Sequence, residues 1–227
     1  IFKTGAEMLD AVAGRTTQGP LKLNVGVVDA VPKVIVRKLL QPALELPEPV
    51  KLVCHEAAYA PLMAELASHL LDIVISDAPV PAGSAVKAFS HLLGESGVSF
   101  FATSDVARAH RRKFPQSLDG APLLLPLEEL ALRRSLNQWF DEKGVKPRVV
   151  SEFEDSALMN VFGADGVGLF PAPTILEEEI CEQLRVAVVG RAEGVRERFY
   201  ALSIERRLKN PAVVAISRAA RAELFAS

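Results

Sequence analysis

After Gly19 and Pro20, Leu21, Leu23, Val25 and Val27 alternate with Lys22, Asn24 and Gly26, and this period of two predicts a strand over 21–27. Val36, Leu39, Leu40, Ala43 and Leu44 then recur at the spacing of an amphipathic helix. Pro42 falls inside that pattern, and because it lacks an N–H and crowds the preceding turn it is expected to end or kink the helix, with Pro47 and Pro49 completing the break. From Val50 the order is strand (50–54), a helix with Tyr59, Leu62, Met63, Leu66 and Leu70 on one face, and strand (73–76). Such a βαβ succession predicts a parallel sheet covered by helices and excludes an antiparallel all-β fold.

A second series opens with a strand at 98–103 and a short strand at 123–126. A helix bearing Leu132, Leu136, Trp139 and Phe140 on one face follows, then a strand at 148–153, a short helix with Leu158, Met159 and Phe162, and a strand at 166–170. Thr174 with Glu177 reads as a capping box ahead of a helix. Two last strands are expected at 184–189 and 199–204. Asn210-Pro211 supplies a cap and first position for a terminal helix with Val213, Ile216, Ala220 and Leu224 on its apolar face.

The two series echo each other. From Pro49 and from Pro147 the chain runs proline, strand, acidic turn, helix containing Leu-Met, strand, Ala-Pro, with Glu56 and Glu154 each seven positions after the proline. Any two βαβ units share some of this pattern. If the echo is structural, the fold is α/β with two similar lobes around a cleft. Ligands of open parallel sheets gather beyond the carboxyl ends of the strands, so Glu56 and Glu154 would then face one crevice from opposite sides.

Composition narrows the class. Of 227 residues, 49% are hydrophobic and 24% charged, with a net charge of −2, which excludes a disordered chain, a membrane span and a stand-alone nucleic-acid binder. Cys54 and Cys181 form neither a disulfide framework nor a metal-ligand pattern, so a reducing, cytoplasmic setting is the expectation. Phe2, Ala6, Leu9, Val12 and Ala13 stand at helical spacing among charges, unlike a signal peptide. A chain that begins at Ile1 within such a helix reads as the later part of a longer protein.

Catalytic chemistry finds no support. His55-Glu56 could open an HExxH zinc site, but Tyr59 stands where the second histidine is needed. There is no GxSxG elbow, the four histidines show no ligand pairing, and the glycines of 163–168 lie in helix-turn-strand order, the reverse of a phosphate loop. Arg108, His110, Arg111, Arg112 and Lys113 read as a solvated helix or loop. Neither an enzymatic role nor a cofactor is expected.

The sharper constellation is a set of loops at strand ends: Asp29 and Ala30, His55 and Glu56, Ser76 and Asp77, Thr103 and Ser104, Glu154 and Asp155, and Phe170. Five of these residues are carboxylates. Each singly reads as a helix cap. Together in one cleft they would repel one another unless protons or a cation sat between them. The competing reading is an organic anion held by backbone N–H groups at helix N-termini, with the carboxylates on the rim.

The segments "LNVGVVDAVPK", "HEAAYAPLMAELASHLLDIVISDAP", "GVSFFAT", "LNQWFDEKGV", "SEFEDSALMNVFGADGVGLFPAP" and "NPAVVAI" resemble the effector-binding domain of LysR-type transcriptional regulators. The resemblance runs from Pro20 to the C-terminus and implies two Rossmann-like lobes of the type 2 periplasmic-binding-protein kind. The lobes are expected at 21–92 with 198–227, and at 93–190, with 191–197 crossing over and 1–19 forming the end of a linker helix and connector. The resemblance further implies an N-terminal winged helix-turn-helix that binds promoter DNA, contact with RNA polymerase, and a homodimer without membrane association. The helices at 33–40 and 132–140 are the expected dimer faces. "SEFEDSALM" with "FPAPT" is the narrower match, to activators of sodium/proton antiporter genes, and implies a response to sodium, alkaline pH or a small effector in the cleft. A solute-binding protein of a transport system shares the same plan and is the alternative.

Overall fold

The computed structural model describes residues 20–225; the expected linker helix at 1–19 and the last two residues of the expected first lobe lie outside them. In chain order the elements are β1 (Leu21–Val28), α1 (Lys33–Leu44), β2 (Val50–Ala57), α2 (Tyr59–Ala67), β3 (Ile73–Ser76), β4 (Phe89–Thr103), α3 (Ser104–Arg111), β5 (Pro122–Pro126), α4 (Ala131–Lys143), β6 (Arg148–Phe153), α5 (Ser156–Ala164), β7 (Phe170–Pro173), α6 (Glu177–Leu184), β8 (Val186–Ser203) and α7 (Pro211–Ala219).

Six strands form one sheet in the order β2-β1-β3-β8-β4-β7, and β5 pairs with β6 in a second. The pairs β1·β2, β1·β3 and β5·β6 are parallel, whereas β8 runs antiparallel to β3 and β4, and β4 to β7. The sheet is therefore mixed rather than parallel. Phe89–Gly94 of β4 and Tyr200–Leu202 of β8 belong with β3, while Val98–Thr103 and Val186–Arg191 belong with β7. Two long strands thus pass from one half of the molecule to the other.

The expected break in β8 does not occur. In place of two strands at 184–189 and 199–204, Val186–Ser203 is one strand, because β4 pairs with it on both sides of 192–195, with three register shifts absorbing the bend. α1 likewise continues through Pro42 to Leu44, since burial of Leu39, Leu40 and Ala43 holds the last turn in place. The strand expected at 166–170 is displaced to 170–173, because Gly166 turns the chain at φ +81° after α5. Thr174 and Glu177 make no capping box. Thr174 sits in a 3-10 turn with its hydroxyl 2.8 Å from Ser99 Oγ, and Glu177 accepts from Ser99 (2.5 Å) and twice from Arg191 (2.9 and 2.7 Å). Those bonds hold the Glu177 carboxyl below its ordinary range, the Arg191 contact most of all.

Two apolar clusters fill the molecule. One joins Leu23, Val25, Ile35, Leu39, Leu62, Ile73 and Phe199 and reaches Phe101, Met159, Phe170 and Ile180. The other gathers Phe100, Leu123, Leu136, Trp139 and Phe140. The buried apolar residues of α1 and α4 pack inside the chain, while exposed apolar side chains stand at Leu44 on α1 and at Leu158, Val161 and Phe162 on α5, among others.

Candidate functional site

β1 from Leu23 onward and all of β3 are buried on both faces, and their carboxyl ends deliver the chain to Asp29-Ala30 and Asp77. From the other half, β6 ends at Phe153, followed by Glu154 and by Asp155, which caps α5 by accepting from the amides of Ala157 (2.6 Å) and Leu158 (3.2 Å). Pro126, at the end of β5, is fixed by buried Arg133, which donates to its carbonyl (2.8 Å) and to Glu152 (2.6 Å). These ends, with β7 and the middle of β8, enclose a narrow cavity of about 30 Å³. Its walls are Ala30, Pro32 and Asp77 on one side, and Pro126, Leu130, Leu132, Phe153, Glu154, Ser156, Met159 and Asn160 on the other. Pro171–Pro173, Leu176, Ile180 and Glu197 complete it.

Lys33, the first residue of α1, stands beside this cavity. Its Nζ lies 2.9 Å from Glu56 Oε2 and 4.0 Å from Asp155 Oδ2, so one ammonium joins carboxylates from the two series. A second ion pair, Lys38 with Glu179, joins α1 to α6.

The strand-end residues fall into groups. Ala30, Asp77 and Glu154 line the cavity. Glu56 and Asp155 stand next to it, bridged by Lys33. His55 is exposed on the edge strand β2, which runs on to Ala57, and Ser104 opens α3. Asp29 and Thr103 are half-buried outside the lining. Ser76 is buried and accepts from the Ala78 amide (3.1 Å), and Phe170 is buried in a stack with Phe101 at 5.6 Å. The five carboxylates therefore do not converge on one point, and no group of three acidic, histidine or cysteine side chains suited to a metal occurs among the described residues.

Sequence reasoning missed the innermost group. Glu197 is 6% exposed, and its Oε2 has no hydrogen-bond partner among the described residues; nor has Asn160 Oδ1. Burial, reinforced by the nearby Asp77 charge, pushes the Glu197 carboxyl up to about 8. Asp77 is itself raised by burial, against smaller opposing effects of its own backbone amide and of Arg134. A signal for Glu197 does exist. Val195, Glu197, Phe199 and Ala201 occupy the buried face of β8 in alternation with Arg196, Arg198 and Tyr200, which places one carboxyl on an apolar stripe.

Against known proteins, the LysR substrate binding domain family model matches residues 17–224. The transcriptional activator protein NhaR of Escherichia coli (strain K12) is 36% identical over 225 residues, covering 99% of this chain and 73% of the relative, and the same protein of Shigella flexneri matches equally. Among solved structures, the effector binding domain of QuiR in complex with shikimate has a TM-score of 0.65 at 15% identity, covering 89% of this chain and 96% of that one. A full-length OxyR from Pseudomonas aeruginosa reaches 0.70 at 15% identity, covering 97% and 76%. The fold is accordingly that of LysR regulatory domains, of the type 2 periplasmic-binding-protein kind. Among the described residues no helix is long and apolar enough to cross a membrane.

Proposed function

We propose, from the premise that the chain belongs to the LysR substrate binding domain family and is the effector-binding domain of a LysR-type transcriptional regulator, that it is the sensing half of an activator whose output follows occupancy of the cavity between its two lobes. The family and the NhaR match favour regulation over transport. The lobes in this reading are 21–92 with 198–227, and 93–190, joined by the crossing segment 191–197. A ligand that binds one lobe arrangement more tightly than the other shifts their equilibrium, and with it the geometry of an N-terminal DNA-binding domain. The signal is sodium, alkaline pH or a small effector. The regulator works as a cytoplasmic homodimer on promoter DNA and engages RNA polymerase, with neither catalysis nor a cofactor.

One observation carries the proposal: strand ends from both series close on a single cavity that keeps unpartnered polar atoms against apolar walls. In this reading the site comprises Ala30, Asp77 and Glu154, which line the cavity, together with the other strand-end residues Asp29, His55, Glu56, Ser76, Thr103, Ser104, Asp155 and Phe170, which do not. A promoter-reporter assay tests the reading, with this chain joined to the DNA-binding part of the E. coli relative. Ser156→Trp, in the first turn of α5, fills the cavity without touching a core residue's place. The expected result is a promoter that stays bound but no longer responds to sodium or alkaline medium. An unaltered response in the folded variant refutes the cavity as the sensing site.

A further inference from the structure

Two pairs of acids from different elements meet in and beside the cavity, and they differ in how their charge is met. Glu56 and Asp155 share the Lys33 ammonium, so that pair already holds a cation. Asp77 and Glu197 do not. Arg134 of α4 lies near enough to lower the Asp77 carboxyl, but its Nη1 donates to the Glu129 carbonyl, while Arg196 and Arg198, the neighbours of Glu197 on β8, pair with Glu95. No basic side chain among the described residues pairs with Glu197.

We propose that the inner end of the cavity is a binding site for a single positive charge, carried by a primary ammonium group or by an inorganic monovalent ion, with Asp77, Glu197 and Asn160 as its oxygen ligands. The inference rests on the effector-sensing reading and names the chemistry of that site. Within the cavity lining the unpartnered buried polar atoms are acceptors, Glu197 Oε2 and Asn160 Oδ1, and Asp77 adds a carboxylate to the same lining; the one unpartnered donor near it, Lys33 Nζ, lies outside the lining and forms the ion pair with Glu56. An ammonium carries three N–H donors, one for each of these groups. A free carboxylate ligand, by contrast, would bring acceptors to acceptors. Size permits it: about 30 Å³ is more than a single water-sized group such as one ammonium or one small ion requires. An aliphatic stem would lie along Leu130, Leu132, Met159 and Ile180 once the halves part.

The test is thermal unfolding of the 227-residue chain at pH 8.5, where the Glu197 carboxyl can give up its proton to a cation, titrated at constant ionic strength with sodium chloride and with butylammonium chloride. Tetramethylammonium chloride, which has no N–H donor and is too large, is the reference. Sodium or butylammonium is expected to raise the midpoint saturably above the reference. The rise should vanish in Glu197→Gln, need about tenfold more ligand in Asn160→Ala for the loss of one charge-assisted bond, and persist in Glu142→Gln, an exposed acid of α4 away from the cavity lining. Near-ultraviolet circular dichroism confirms that each variant is folded. A response to sodium alone assigns the site to an inorganic ion, and a response to butylammonium alone assigns it to an organic amine. The proposal is overturned if neither cation exceeds the reference, if Glu197→Gln responds like the parent, or if Glu142→Gln abolishes the response. In the first case a promoter that still answers its inducing condition leaves the sensing domain standing without this site.

Discussion

Replacing Glu197 by glutamine should stabilise the domain, and by an amount that depends on pH. The carboxyl is buried beside Asp77 and titrates near 8 in the folded chain, against 4.5 when unfolded. Between those values the folded state holds a proton that the unfolded state has released. The protonated acid's contribution is therefore fully present below pH 4.5, is lost as pH rises, and is gone above about pH 8. At pH 7 the gap from the unfolded value corresponds to about 3 kcal/mol, at roughly 1.4 kcal/mol per unit. Glutamine keeps the shape and does not ionise, so the variant escapes this loss. Urea unfolding at pH 5, 6, 7, 8 and 9 reads the difference directly: the advantage of Glu197→Gln over the parent should be small at pH 5, grow steadily to pH 8 and then level. A difference that stays constant across the series would show that the carboxyl ionises as it does in water, and would remove the case for a buried, uncompensated acid.

Three further outcomes follow from the packing. A Cβ on Gly163 would lie 2.0 Å from the ring of Phe170, which is fully buried and cannot yield, so Gly163→Ala should cost about 1–3 kcal/mol or more in chemical denaturation. Asn210 caps α7 by accepting from the Ala212 amide (3.0 Å), and Asn210→Ala should lower stability by about 1 kcal/mol in the same assay. Val161 is 50% exposed between Leu158 and Phe162 on α5; under the homodimer proposed above, Val161→Asp should leave the fold intact in circular dichroism while shifting sedimentation from dimer to monomer, and an unchanged dimer would place the interface elsewhere.

The parts of the fold that follow from local periodicity were legible. β1, β3, α4 and α7 carry their pattern within a few residues, and the Asn210-Pro211 signal works through the backbone bond it predicts. What depends on distant pairing was not. The stretch 190–198 reads as polar and glycine-rich, and pairing of its two ends with β4 carries the strand across it, just as the core, not the local sequence, carries α1 past Pro42. The candidate site shows the same division. Strand-end acids could be enumerated from topology, but nothing near Glu56 in sequence says that Lys33 would neutralise it together with Asp155, because that meeting requires both halves of the molecule. Glu197 was readable in principle: a charge on the inward register of an alternating strand is a local conflict of the kind that marks function.

The central claim is that the two halves change their relation when the cavity is occupied. Pulsed electron spin resonance tests it most directly, with one label on exposed Cys54 of β2 and another on Gln138→Cys, on the exposed side of α4, after Cys181→Ser removes the remaining thiol. Two distances are expected between the halves, with their proportions shifted by sodium or butylammonium in the parent chain and unshifted in Ser156→Trp. A single distance, unmoved by either cation or by an added organic acid, would contradict a domain that signals by closing on its ligand.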